Sequence, residues 1–285
     1  MIVGTRGSDL ARAQARELVE ALRAIRPGLE VEVRVVRTTG DRVTDRPLSS
    51  LGGFGAFVKE LDQRLLEGQV DVAVNSLKDM PVEPTPGTAL SAVLPRGPVE
   101  DVLVPGIPLD DLPKGAVVGS SSVRRRAQIL NLRPDLEVRD IRGNVNTRLS
   151  KLGNGYDAIV LARAGLVRLG LQVDHEVLDP TRFVPAPGQG AIAGVTREGE
   201  SDLLEGLNHR PTWEQVRVER ALLKALGGGC SVPIGIWASG EGRLRVIGVA
   251  LAEDGSTAAR VDRVIDPEDG EALISMADEL REGMT

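Results

Sequence analysis

The chain has a single cysteine, Cys230, in 285 residues. An internal disulfide and a cysteine-clustered metal site are therefore excluded. The two histidines, His175 and His209, are too few and too far apart to suggest a metal site, and no metal is expected. Aromatic residues make up 2 %, which leaves little material for a base-stacking platform. A formal charge of −6 and a pI near 5.2 also speak against a nucleic-acid binder. No apolar stretch has the length of a membrane span, since AIVLARAGLV is broken by Arg163. The opening MIVGTRGSDL meets Arg6 and Asp9 before any long apolar run, so it does not read as a secretory signal. The expectation is a cytoplasmic protein without nucleic-acid or membrane partners.

Lysine is scarce as well: five of the 35 basic residues are lysine and 30 are arginine. Guanidinium grips carboxylate or phosphate in a two-pronged fork, which ammonium cannot do. A plain bias towards arginine would give the same composition, so position decides. Residues 120–151 hold Arg124, Arg125, Arg126, Arg133, Arg139, Arg142, Arg148 and Lys151 against Asp135, Glu137 and Asp140, a local excess of positive charge in an acidic protein. A run of serines, 120–122, opens a helix there after a strand. Free N–H groups and the helix dipole make such a start an anion seat. Arg142 and Arg148 begin and end RGNVNTR, with Asn144 between them, and Arg6 ends the first strand. Phosphate and carboxylate are not separated by these residues. The chain has no Walker loop and no GxGxxG after a strand, which weakens a nucleotide reading.

Strands and helices alternate from the start, which predicts a parallel-rich α/β sheet. The spacing predicts strands over 2–5 and 31–35, a Ser8-capped helix to Ile25 and a helix over 57–66. Residues 38–55 form a long polar loop. In VDVAVNSLKDMP the valines 70, 72 and 74 alternate with other residues, then a polar tip follows and Pro81 stops the strand. Asp79 falls at the carboxyl end of that strand, where open α/β sheets place chemistry, with Lys78 beside it and Ser76 close by. A turn aspartate that caps the next segment would look the same. Residues 95–115 and 183–190 are crowded with proline and glycine and read as crossings between domains. A second α/β unit lies between them, with strands over 116–119, 136–141 and 158–161 and a short helix carrying Arg168. Two crossings imply that the chain leaves the first domain and returns, giving two lobes, a hinge and a cleft. A helix over 216–226, three strands over 232–238, 244–251 and 258–264, and a last helix over 268–281 suggest a small α+β third domain. The expected boundaries are 1–94 with 191–208, 99–185 and 212–285. Cys230 lies in GGGCSVPIG, where three glycines free the backbone around the thiol. A lone cysteine is commonly a small buried hydrophobe, and no histidine base accompanies this one.

Seven segments together resemble the porphobilinogen deaminase (hydroxymethylbilane synthase) family. They are TRGS at 5–8, GGFGAFVKELDQRLLEG at 52–68, NSLKDMP at 75–81, GSSSVRRRAQ at 119–128, RGNVNTRLSKL at 142–152, PAPGQGA at 185–191 and GGGCSVPIG at 227–235. The resemblance implies an α/β fold with two periplasmic-binding-protein-like lobes and a third domain carrying the cysteine. It implies a dipyrromethane cofactor, one per chain, thioether-linked to Cys230. On this primer four porphobilinogen molecules would join head to tail, four ammonia molecules would leave, and water would release hydroxymethylbilane, in tetrapyrrole and haem biosynthesis. Asp79 matches the catalytic aspartate. Arg6, Ser8, Lys59, Lys78, Ser122, Arg124, Arg125, Arg142 and Asn144 match cofactor-binding positions, and Arg6, Ser76, Arg142, Arg148, Arg168 and Gln189 substrate-binding ones. Family members are usually monomeric. Phe54 stands where many relatives have Lys, and Asn75 where many have His. The alternative is a non-catalytic two-lobed protein that binds or senses a small anion, for which the third domain with GGGC would have no use.

Overall fold

A computed structural model of the chain describes residues 1–36, 55–227 and 233–284, and for 55–57 the backbone alone. The chain runs β1 (Ile2–Arg6), α1 (Asp9–Ile25), β2 (Glu32–Val36), α2 (Gly55–Leu66), β3 (Val72–Ser76), a 3₁₀ turn (Leu77–Asp79) and β4 (Thr88–Val93). It continues as β5 (Asp101–Val104), β6 (Val117–Gly119), α3 (Val123–Leu132), β7 (Glu137–Arg139), α4 (Val145–Leu149), β8 (Ala158–Ala162), α5 (Arg163–Arg168) and β9 (Glu176–Val177). After β10 (Ile192–Arg197) come α6 (Arg210–Ala225), β11 (Ile234–Ser239), β12 (Leu244–Leu251), β13 (Ala258–Ile265) and α7 (Gly270–Glu282). These elements form two compact units: residues 1–97 with 190–213, and 98–189 with 214–285.

In the first unit the sheet order is β2-β1-β3-β10-β4. β1, β2 and β3 are parallel and β10 runs antiparallel to β3. Ser8 caps α1 by accepting from the Ala11 N–H at 3.2 Å. The helix buries Ala15, Leu18, Val19 and Leu22 with Val3, Val72 and Val74 of the sheet. Gly4 lets α2 close on β1, since a Cβ there would sit 2.9 Å from a Leu61 methyl.

The second unit holds a sheet of the same plan, β7-β6-β8-β5-β9, again three parallel strands followed by an antiparallel one. In each sheet the antiparallel strand comes from beyond a crossing: β5 follows β4, and β10 follows β9. Here the sequence reading needs correction. Residues 95–115 are not only a crossing; they contain β5, whose four residues are all buried. A four-residue strand buried on both faces and bounded by Pro98 and Pro105 has no alternation to read.

The same unit contains the antiparallel sheet β11-β12-β13, which makes the C-terminal part an α+β domain. On one face Val246 and Ala250 pack with Val218 and Leu222 of α6 and with Met276, Ala277 and Leu280 of α7. On the other, Ile247, Val249 and Leu251 pack with Ala127 of α3 and with Val184. β12 is therefore buried on both faces, which explains its nearly unbroken apolar run.

Candidate functional site

Parallel strands bring their carboxyl ends to one edge, and both five-stranded sheets collect the chemistry-bearing residues there. In the first unit β1 ends at Arg6 and β3 at Ser76. Ser8 stands at the start of α1, and the turn after β3 carries Lys78 and Asp79. That turn is pinned to β10 by the Leu77 N–H, which donates to the Ala191 carbonyl at 3.1 Å. Ser76 does not cap the turn. Its hydroxyl instead accepts from Gln14 Nε2 at 2.7 Å, a bond that joins α1 to β3. Arg6, Ser8, Ser76, Lys78 and Asp79 are each half-buried, while Lys59 is exposed on α2. The structure thus brings Arg6, Ser8, Ser76, Lys78 and Asp79 to one sheet edge. Asn75 is buried, and its side-chain N–H group lacks a hydrogen-bond partner among the described residues. Phe54, the 38–55 loop apart from Gly55 itself, and Cys230 lie outside the described residues.

In the second unit the loops that leave β6 and β7 carry Ser122, Arg142 and Asn144, Arg148 lies on α4 just after them, and Arg168 stands in the last turn of α5, which follows β8. Ser122 caps α3 and Asn144 caps α4; the Asn144 carbonyl oxygen accepts from the Thr147 N–H at 2.8 Å. Ser121 joins the two loops, donating to the Ile141 carbonyl at 2.8 Å and accepting from its N–H at 3.0 Å. Arg148 Nε donates to the Gly143 carbonyl at 2.8 Å, and Lys151 Nζ to the Arg142 carbonyl at 3.0 Å. The basic side chains thus also build the loop that presents them.

Arg124, Arg125 and Gln189, matched above to cofactor- and substrate-binding positions, are tied to one carboxylate, that of Asp101. All three are buried. Arg124 Nη2 donates to one Asp101 oxygen at 2.7 Å, and Arg125 Nη2 and Nε to the other at 2.6 and 3.1 Å. Gln189 Nε2 reaches Asp101 at 3.0 Å and the Val99 carbonyl at 2.7 Å. Burial pushes the Arg124 pKa below its ordinary value, and the Asp101 charge opposes that. What gathers them is Asp101, a fully buried carboxylate that the sequence reading does not single out. The rarity of a charged residue opening a buried apolar strand, DVLV, was the one available signal. Gln14 was missed too, because a helix-face glutamine looks solvated until the fold buries it.

Among the described residues no cluster of His, Cys, Asp or Glu could hold a metal. Among the same residues no helix is long and apolar enough to cross a membrane. Serine- and asparagine-capped helix starts and guanidinium groups at strand ends, with one aspartate in the turn after β3, define a class: α/β proteins that handle anionic ligands at the carboxyl ends of their strands.

The particular family follows from comparison. Residues 1–205 match the family described as "Porphobilinogen deaminase, dipyromethane cofactor binding domain", and residues 213–282 match "Porphobilinogen deaminase, C-terminal domain". The chain is 50 % identical over 252 residues to the "Probable porphobilinogen deaminase" of Archaeoglobus fulgidus, covering 87 % of this chain and 86 % of that one. It is 48 % identical over 283 residues to the "Porphobilinogen deaminase" of Thermus thermophilus, covering 96 % and 92 %. The chain belongs to the porphobilinogen deaminase family, enzymes of tetrapyrrole biosynthesis with a dipyrromethane cofactor domain.

Proposed function

We propose that Asp79 is the carboxylate at which porphobilinogen loses ammonia, and that Cys230 holds the dipyrromethane as a thioether. The observation that carries this is the position of Asp79: in the turn that ends β3, beside Lys78, on the sheet edge shared with Arg6 and the Ser8-capped start of α1. The donor set at each edge, taken by itself, suits a carboxylate-bearing group such as the cofactor. Each of its two pyrroles bears an acetate and a propionate, and Arg6, Lys78, Arg142 and Arg148 are cations while Ser8, Ser122 and Asn144 are short polar caps at helix starts. When bound, the dipyrromethane supplies the primer on which the product grows.

The chain's own residues then have distinct tasks. Asp79 accepts pyrrole N–H bonds and offsets the positive charge that develops as the aminomethyl group of porphobilinogen departs as ammonia. Positioned acid–base help of this kind is worth roughly 10²–10⁴-fold, and fixed charge stabilisation adds to it. Arg6 and Ser76 hold substrate carboxylate at the first edge, with Lys78 beside Asp79 and Lys59 on α2. Arg142, Arg148 and Arg168 serve the lengthening chain at the second. Arg124 and Arg125, held by Asp101, belong to the set that binds the cofactor, and Gln189 to the set that binds the substrate. Four condensations release four ammonia molecules, and water frees hydroxymethylbilane. We also propose that the enzyme is a cytoplasmic monomer and that its three domains span 1–94 with 191–208, 99–185 and 212–285.

Asp79→Asn tests the central role. The variant keeps the side-chain shape and loses the charge. It is expected to hold its cofactor, by intact mass, and to lose about 10²-fold or more of its turnover. Turnover within a few-fold of the parent would remove Asp79 from its role.

A further inference from the structure

The Asp101 cluster sets two guanidinium groups against the oxygens of one carboxylate. The three groups sit in a nearly dry interior, where charge is costly unless it is paired and hydrogen-bonded. The two arginines direct further donors to the carbonyls of Val184 at 2.6 Å and Val160 at 3.1 Å, which are neutral acceptors. The Gln128 amide grips Val184 from both sides: its Nε2 donates to the Val184 carbonyl at 3.0 Å, and its Oε1 accepts from the Val184 N–H at 2.7 Å. The Phe183 ring lies 5.9 Å from the Arg124 guanidinium carbon and offers only its π face. Arg124 Nε is buried and has no hydrogen-bond partner among the described residues. Both arginines belong to the first turn of α3, the turn that Ser122 caps and whose N–H groups and dipole already favour an anion.

We infer that Asp101 is a positioning residue for cofactor loading: it holds Arg124 and Arg125 in one arrangement in the first turn of α3, so that this helix start is set to receive one carboxylate of the dipyrromethane. The carboxylate does this from the strand next to β8, through bonds spanning 23 and 24 residues of sequence to the arginines and 88 to Gln189. Without it the two guanidinium groups repel each other and the first turn of α3 loses its anchor. Gln189 then keeps only the Val99 carbonyl of its two acceptors named above. Asp101 never touches the ligand. It sets where the donors of the helix start stand. This inference rests on the reading that the Ser122 edge receives the cofactor's carboxylates.

The experiment compares the parent with Asp101→Asn and Asp101→Glu. Each is expressed in full length, and only the folded fraction, matched to the parent by circular dichroism, is weighed by intact mass spectrometry. The share of folded molecules carrying the covalent dipyrromethane is the readout, because a purely structural aspartate would not change it. The expected result for Asp101→Asn is a loaded share lower by about tenfold or more. Asp101→Glu keeps the charge and is expected to stay within a few-fold of the parent. A folded Asp101→Asn protein loaded like the parent would overturn the inference. Should Asp101→Asn not fold, the double variant Asp101→Asn/Arg124→Gln removes one charge of each sign. It is expected to fold and remain unloaded, and parent-like loading in it would overturn the inference equally. A parent with no added mass would instead sink the cofactor reading, and this inference with it.

Discussion

Asp62, on α2, is 2 % exposed, and its one hydrogen bond is accepted from the Thr85 hydroxyl at 2.5 Å. Its other oxygen is buried without a partner among the described residues. Burial raises its pKa, and the Thr85 bond offsets only part of that. The folded protein therefore keeps this proton to a higher pH than the unfolded chain, whose value is near 3.8. The stability it contributes is full below the unfolded value and is lost as pH rises through the folded one. Asp62→Asn is expected to flatten the dependence of Tm on pH from 3.8 upward through that window, as followed by differential scanning calorimetry. An unchanged slope would show that Asp62 ionises freely in the fold. Legibility in the sequence divides at this same scale. Asp79, Ser8 and Ser122 were legible because a strand end, a stop at Pro81 and a helix cap are local events. Asp101, Asp62 and Gln14 were not, because burial and partners 23 to 88 residues away define what they do.

At the scale of elements, the loop between β7 and α4 is the most constrained of the basic segments. Gly143 has φ +114°, a conformation that side chains with a Cβ rarely adopt. A Cβ there would also meet the Thr147 methyl at 2.5 Å. The Asn144 cap and the Arg148 bond to the Gly143 carbonyl both depend on that turn. Gly143→Ala is expected to destabilise the protein by about 1–3 kcal/mol. It should also raise KM for porphobilinogen more than it lowers kcat, because Arg142 and Arg148 lose their setting while Asp79 keeps its own. Unaltered denaturant midpoint and KM would show that the turn adapts. The helices and most parallel strands were legible from periodicity and caps. The antiparallel insertions β5 and β10 were not: DVLV and IAGVTR are short and mostly buried, and β10 carries a glycine, Gly194, at a register shift.

At the scale of the whole molecule, the two five-stranded sheets share one plan, and each takes its antiparallel strand from beyond a crossing. The glycine- and proline-rich segments read as crossings are where the chain passes from one unit to the other, at residues 97–98 and 189–190. The C-terminal sheet packs on α3 through Ala127, Ile247, Val249 and Leu251, so the helix with the buried arginines supports the domain that bears Cys230. The whole account turns on that cysteine carrying a covalent primer. Intact mass of the purified protein, beside Cys230→Ser, tests this most directly. The parent is expected to exceed its sequence mass by one dipyrromethane and to colour with Ehrlich's reagent, and Cys230→Ser to match its sequence mass and stay colourless. A parent at its bare sequence mass, or the same excess in Cys230→Ser, would contradict it.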